Sequence, residues 1–386
     1  MKQYLNEVEL ESILQADSLE DLSASAIFDL FRKEKQLHAY LPDAVYQVDP
    51  RDGALITYNT ARARRPHDNA VETREITVPP EKPCPICQGR TTGVIDVAPL
   101  GEGFTFINKN LFPILYPETE VPATWKKEDR MTQGGDAYGL HLLQWTSSYH
   151  DKDWQNIPLA DRVVVMERLA VLEQKLLLGS DGLMPIAEPR NGDKEARGFV
   201  SIIKNFGSLV GGSLAHGHQQ IAFSNIMPRK FHNNLIFFQQ HGTYFTEFLQ
   251  RENSAELLVK DYGEAVLLVP YFMRRPYDML LVLKDVKKQY LYELTPAEVV
   301  AIAEGWHDAI GAILDIMPLI GKEPAYNVTV NNGPGAGLYV EFLPYTQETG
   351  GFEKLGLWVC QNNPHNVAAQ LRETIRSSRA SENSLS

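Results

Sequence analysis

The sequence predicts an α+β fold built on mainly antiparallel strands, and three observations carry that reading. Strand-like runs gather around one long amphipathic segment in each half of the chain, whereas a doubly wound parallel sheet needs a helix after nearly every strand. The order of strands, a helix of about twenty residues and a strand ending in Asn-x-Gly or Asn-Gly occurs twice, which marks a weak internal duplication. No glycine-rich dinucleotide fingerprint or Walker loop breaks the pattern; Gly207-Ser208-Leu209-Val210-Gly211-Gly212-Ser213 lacks the Lys-Ser/Thr ending.

Residues 1–45 read as an N-terminal helical extension. Asp17-Ser18 ahead of Glu20-Asp21 is a start signal, and Leu22, Ile27, Leu30 and Phe31 recur at helical spacing. A first unit over residues 46–228 opens with a predicted hairpin from Tyr46 to Tyr58, turning at Asp49-Pro50 and Asp52-Gly53, and then a basic segment, Arg62-Ala63-Arg64-Arg65-Pro66. Phe104-Thr105-Phe106-Ile107 and His141-Leu142-Leu143-Gln144-Trp145 read as strands, Leu159 to Leu178 as the long helix, and Phe199-Val200-Ser201-Ile202-Ile203 as a strand running into Asn205-Phe206-Gly207. In the second unit, residues 229–386, the strands are Ala265 to Val269 and Met279 to Leu283. Thr295 caps a helix to about Leu314, and Tyr326 to Val330 runs into Asn331-Asn332-Gly333.

Composition narrows the function. The chain has 386 residues, 44% hydrophobic and 22% charged, enough for one large domain or two similar halves and unlike a disordered or collagenous chain. Lys+Arg 37 against Asp+Glu 49 gives a net charge of −12, which argues against sequence-independent nucleic-acid binding but not against a small phosphorylated ligand held by local basic residues. No stretch approaches the roughly eighteen apolar residues of a membrane span, and the N-terminus turns acidic where a signal peptide would be apolar, so a cytoplasmic location is expected. Three cysteines cannot form a disulfide framework; Cys84-Pro85-Ile86-Cys87 has the spacing of half a zinc site, whose other ligands must come from elsewhere. Cys360, after Leu357-Trp358-Val359, reads as a buried apolar thiol.

The densest polar constellation is Ser213-Leu214-Ala215-His216-Gly217-His218-Gln219-Gln220, following a glycine-rich turn. If this segment is a strand, residues 216, 218 and 220 share one face about 7 Å apart, lining up two imidazoles and an amide. His141 and the remaining histidines have no partner pattern and read as surface or satisfied core residues.

His216-Gly217-His218-Gln219-Gln220 resembles the His-x-His-x-Gln active-site sequence of the galactose-1-phosphate uridylyltransferase family, the transferase branch of the histidine-triad superfamily, which includes related nucleoside diphosphate sugar phosphorylases. Further motifs keep the family's order: Asp49-Pro50-Arg51-Asp52-Gly53 with Arg62 to Pro66, the Cys84 to Cys87 knuckle, Asn110-Leu111-Phe112-Pro113, the Asn205 to Ser213 loop, and Phe342-Leu343-Pro344 with Gly350-Gly351-Phe352-Glu353. The resemblance covers roughly residues 46–375 and implies two histidine-triad-like units.

The resemblance also implies roles. His218 would be the nucleophile toward a nucleoside diphosphate sugar, giving a covalent nucleotidyl-histidine, and Gln220 would hold a phosphoryl oxygen. Arg62, Arg65, Asn110, Asn205, Gly207 and Ser213 would bind the nucleotide and its phosphates, and Glu353 the sugar hydroxyls. His150 and His216 would complete a closed, structural zinc site with Cys84 and Cys87. A sugar phosphate, or inorganic phosphate in a phosphorylase, would accept the nucleotidyl group; a nucleotide-binding module without turnover is the rival of another class. A homodimer is expected, with the C-terminal segment of one subunit completing the sugar end of the other's site. The chain departs from the best-known members in carrying Gly217 and Gln219, and in having Tyr339-Val340-Glu341 where bacterial uridylyltransferases carry an iron-site His-x-His, so no second metal and one catalytic centre per chain are expected.

Overall fold

In the computed structural model the described residues are 2–48, 55–61, 84–118, 134–180, 183 and 198–385. They divide between two units, one made of Met1–Lys152, Glu167–Ile202 and His216–Asn233, the other of Asp153–Met166, Ile203–Ala215 and Asn234–Ser386.

The first unit begins with two helices, each started by a polar side chain that accepts from an otherwise open amide. Asn6 and Glu9 form a reciprocal capping box on α1 (Glu7–Ile13), and Ser23 caps α2 (Ala24–Lys33) by accepting from Ala26 N. The start signal at Asp17-Ser18 is therefore displaced: Ser18 caps only a three-residue 3-10 turn, and the helix proper starts one cap later, where Ala24, Ile27, Phe28 and Phe31 form its buried stripe. These helices belong to the first unit's core. The Lys109 ammonium, 1% exposed, lies 2.8 Å from the Glu34 carboxylate and donates to Gln15 Oε1 and the Leu30 carbonyl, while Arg168 joins Glu20 to the buried Asp96.

β1 (Val45–Val48) and β2 (Leu55–Thr57) make the predicted antiparallel hairpin, with Tyr46 opposite Thr57; its turn at 49–54 and the basic segment with Arg62 and Arg65 lie outside the described residues. The chain continues through β3 (Val94–Pro99), β4 (Phe104–Lys109), β5 (Gly135–Asp136), which pairs with β1, and β6 (Gly139–Trp145). α3 (Leu159–Leu178) has the predicted bounds, and with β7 (Phe199–Phe206) it contributes residues to both units. β8 (His218–Ser224) completes the antiparallel order β3-β4-β6-β8. Alternation gives the sheet two faces. Leu140, Leu142, Gln144, Gln219, Ile221 and Phe223 are buried on one, and Trp145, His141, His218 and Gln220 share the other.

The second unit follows the helix α4 (Arg229–His241), whose first turn belongs to the first unit, with α5 (Phe245–Glu252) and the strands β9 (Leu258–Asp261), β10 (Ala265–Leu268) and β11 (Met279–Leu283). α6 (Pro296–Leu319) is capped by Thr295, which exchanges hydrogen bonds with Glu298, and runs five residues past the expected Leu314 because apolar Ile316 and Met317 remain buried. β12 (Tyr326–Asn331), β13 (Tyr339–Pro344), the short α7 (Gly351–Lys354) and α8 (Pro364–Leu385) complete the chain. The strand order is β12-β13-β11-β10-β9, antiparallel throughout, with α6 and α8 packed together. β11 is buried on both faces, which explains its unbroken apolar sequence. Trp154 stacks on Trp306 at 4.7 Å, and a second buried ion pair joins Lys204 to Asp153 at 2.6 Å.

Two smaller expectations fail. Cys360 is half-buried with Sγ 3.4 Å from the Asn362 carbonyl, because it sits in an irregular segment after α7 and not on a core-facing strand. The row of 216, 218 and 220 on one strand face does not form either, since β8 starts at His218 and His216 lies in the preceding bend. Among the described residues no helix is long and apolar enough to cross a membrane.

Candidate functional site

In the first unit, Cys84 and Cys87 lie on a tight turn closed by Gly89, whose φ of +70° suits glycine, with Gly89 N donating to the Ile86 carbonyl. The ring Nδ1 of His216 is 3.7 Å from Cys84 Sγ and 3.6 Å from Cys87 Sγ, and His150 Nδ1 is 3.7 Å from Cys87 Sγ. All four ligand atoms lie within 4.8 Å of one another. A tetrahedral zinc with Zn–S of about 2.3 Å and Zn–N of about 2.0 Å requires S···N edges of roughly 3.5 Å, and these three S···N separations lie within about 0.2 Å of that. Burial, and the neighbouring Cys84 sulfur, push the Cys87 thiol up to about 12. His216 Nε2 meets the Ser147 carbonyl at 2.8 Å, the outer bond that would hold a ligating imidazole with Nδ1 turned to a metal.

The N-terminus frames this cluster. Leu5 N donates to the Ser148 carbonyl, His150 N to the Gln3 carbonyl, and Tyr4 stacks on Tyr149 at 5.3 Å. Sequence reasoning assigned the extension no such part, because single residues on a short N-terminal segment carry no periodic signal.

His218 is the first residue of β8, opposite Trp145 on β6, and its ring lies over the indole at 4.8 Å. Its Nδ1 is 2.8 Å from the His216 carbonyl. A carbonyl only accepts, so the proton is on Nδ1 and the neutral ring carries its lone pair on Nε2. His216, one of the four candidate ligands, thus also fixes the tautomer of His218 through its backbone.

Gln220, two residues along the same face, is half-buried, and its Oε1 is 3.1 Å from His141 Nε2. Asn110 follows the last residue of β4: its Oδ1 accepts from Phe112 N at 2.9 Å and its Nδ2 lies 3.2 Å from the same His141 nitrogen. The first unit therefore brings together Cys84, Cys87, His150, His216, His218, Gln220 and Asn110. His141, read from sequence as an ordinary histidine, belongs to this group; only the register of β6 against β8 could reveal it.

Asn205, Gly207, Ser213 and Glu353 belong to the second unit. Gly207 has φ +89°, and a Cβ there would lie 2.9 Å from the Pro324 carbonyl oxygen, so the sharp turn after β7 requires glycine. Asn205 Oδ1 accepts from Asn327 Nδ2 at 2.7 Å. Ser213 is half-buried three residues before His216. The Glu353 carboxylate accepts from Gly350 N at 2.8 Å and Val359 N at 3.3 Å; the backbone N–H groups of its own turn, those of Glu353 and Gly350 foremost, hold it below the usual carboxylate range. Arg62 and Arg65 lie outside the described residues.

No family model matches the chain. Over 355 residues it is 23% identical to an ADP-glucose phosphorylase of Arabidopsis thaliana, covering 84% of this chain and 91% of that protein. Over 287 residues it is 26% identical to a galactose-1-phosphate uridylyltransferase of Rattus norvegicus, covering 71% of this chain and 67% of the relative. A solved uridylyltransferase structure superposes with a TM-score of 0.65 at 19% identity, covering 86% of this chain and 99% of that one. In sequence the chain is thus similar to a galactose-1-phosphate uridylyltransferase and to an ADP-glucose phosphorylase, and it shares the fold of a uridylyltransferase.

Proposed function

We propose that the chain is an enzyme that transfers a nucleoside monophosphate from a nucleoside diphosphate sugar by way of His218. His218 Nε2 forms a bond to the α-phosphorus while the bond to the sugar 1-phosphate oxygen breaks, and the leaving group departs as a stable anion without a strong general acid. Gln220 donates to a phosphoryl oxygen of the crowded phosphorus, and Asn110, Asn205, Ser213 and the Gly207 turn supply further donors, with Arg62 and Arg65 carrying positive charge. In the second half-reaction a phosphate oxygen of the acceptor attacks the same phosphorus and the P–N bond to His218 breaks. The observation that carries the reading is the 2.8 Å bond from His218 Nδ1 to the His216 carbonyl, which leaves a basic nitrogen on a ring held against Trp145.

The relatives named above favour two acceptors, a hexose 1-phosphate in an exchange reaction and inorganic phosphate in a phosphorylase. Both share the His218 step. Zinc bound by Cys84, Cys87, His150 and His216 has no open position and acts as a brace. A homodimer in the cytoplasm, with Glu353 accepting from sugar hydroxyls, completes the proposal.

Incubation with ADP-glucose or UDP-glucose labelled at the α-phosphorus tests it. Acid-labile label on His218, discharged by phosphate or by a hexose 1-phosphate, is the expected result and identifies base and acceptor together. Absence of label from both donors on metal-replete protein overturns it.

A further inference from the structure

We propose that His141 is a positioning residue that sets which end of the Gln220 amide faces the substrate. The inference rests on the phosphoryl-binding role of Gln220 proposed above. An amide side chain has a donor end and an acceptor end of nearly the same shape, so a glutamine that must donate to a phosphoryl oxygen needs its oxygen held elsewhere.

The hydrogen bonds around His141 do this. Ile114 N donates to His141 Nδ1 at 3.1 Å, so Nδ1 is the unprotonated nitrogen and the neutral ring carries its proton on Nε2. Nε2 is 3.1 Å from Gln220 Oε1 and 3.2 Å from Asn110 Nδ2. Of these two neighbours only the oxygen accepts, so Nε2–H donates to Gln220 Oε1 and the Gln220 NH₂ is turned away from His141. The Asn110 amide is fixed independently, its oxygen already holding Phe112 N at 2.9 Å. His141 pairs with Ala222 across β6 and β8 while Leu143 pairs with Gln220, which makes His141 and Gln220 diagonal neighbours on one face. His141 is 2% exposed, so water does not compete for the bond.

The chain of control thus runs from a backbone amide in the loop after β4, through one imidazole tautomer, to the donor end of Gln220. A residue that merely fills the core would give the same burial, but its replacement would not depend on where a donor is restored.

Two substitutions separate these cases. The amide of Gln superposes best on the Nε2 side of an imidazole and that of Asn on the Nδ1 side. His141→Gln retains a donor toward Gln220, whereas His141→Asn keeps an acceptor for Ile114 and loses the reach to Gln220. Single-turnover labelling of His218 is expected to slow by ~10²-fold in His141→Asn, the scale of one lost charge-stabilising donor, and to stay within ~10-fold of wild type in His141→Gln. In a Gln220→Ala background the Asn substitution should add less than ~3-fold, because its effect passes through Gln220. Multiplying effects, or an Asn variant faster than the Gln variant, would overturn the assignment. Should the Asn variant not fold, the folded Gln variant decides alone: a loss of ~10²-fold overturns the proposal. Nitrogen NMR of ring-labelled His141 gives a readout independent of turnover. Protonation at Nε2 is expected; protonation at Nδ1 removes the proposal even if His218 labels normally, and absence of label with Nε2 protonated faults the reaction and not the positioning.

Discussion

The strand pairs β6–β8 and β11–β13 hold matching places in the two strand orders and are loaded differently. In each, the second strand opens with a residue pair of the pattern X-x-Y on one face: His218-Gln219-Gln220 in the first unit, Tyr339-Val340-Glu341 in the second. In the first, the face carries nitrogen groups ordered by their neighbours, with His218 fixed by the His216 carbonyl and Gln220 held by His141. In the second the same positions close on themselves. Tyr339 is 2% exposed, packs 5.2 Å from Phe245 and reaches Asn234, and burial pushes its phenol well above the ordinary value. Glu341 accepts from Thr329 Oγ1 at 3.0 Å and Asn331 Nδ2 at 3.2 Å. The head of β13 thus serves packing where the head of β8 presents the groups proposed for chemistry, and the side chains at the head of one strand make that difference.

The largest test of that contrast compares the two heads directly. His218→Ala should abolish nucleotidyl labelling, by at least ~10⁴-fold, while Tyr339→Phe leaves labelling unchanged in folded protein. Label persisting in the His218 variant would place the chemistry elsewhere.

Metal ligation is the next difference. Cys84→Ser or Cys87→Ser should lose bound zinc and lower the melting temperature, whereas Cys360→Ser changes neither, since binding at a closed structural site is itself folding free energy. Metal content by mass spectrometry and calorimetry check this; a Cys84 variant that melts as wild type would remove the bracing role.

Both units contain a buried lysine–carboxylate pair, Lys109–Glu34 in the first and Lys204–Asp153 in the second. Removing one partner leaves the other charge buried, so Glu34→Ala and Asp153→Ala should each cost about 3–5 kcal/mol in denaturant unfolding. An exposed control, Glu348→Ala against Lys322, should cost far less.

The smallest effect belongs to the second unit alone. Burial raises the Asp278 carboxyl from the ordinary 3.8 to about 7, with Arg275 pulling down and Glu341 pushing up. In the window between those values the folded state binds the proton more tightly than the unfolded one. The stabilisation it lends is therefore full below about 4 and lost as pH rises to about 7. Unfolding measured from pH 4.5 to 8 should show this decline superposed on other titrations, and Asp278→Asn should flatten it by roughly 1–3 kcal/mol across the range.

Local signals made much of this legible in the chain itself. The α3 bounds, the Thr295 cap, the apolar run of β11 and the antiparallel hairpin at the start of the first unit follow from periodicity, capping chemistry and turn residues, all of which act over a few neighbours. The Cys-x-x-Cys spacing and the His-x-His-x-Gln sequence likewise announce themselves, since ligand and nucleophile types are rare enough to stand out. Their convergence was not legible from spacing alone: Cys84, His150 and His216 meet across 132 residues of chain, and only the family resemblance named the full ligand set.

What the tertiary structure alone decided is direction. A histidine's type is written in the sequence, but its tautomer depends on which carbonyl or amide lies beside each nitrogen. The His216 carbonyl sets it for His218, and Ile114 N sets it for His141. The register that places His141 diagonally from Gln220, and the bend that takes His216 off the strand face, arise from strand pairing between segments about eighty residues apart. The physical reason is the range of the forces: propensity and capping are local, whereas register and hydrogen-bond partners are fixed only when distant segments pack.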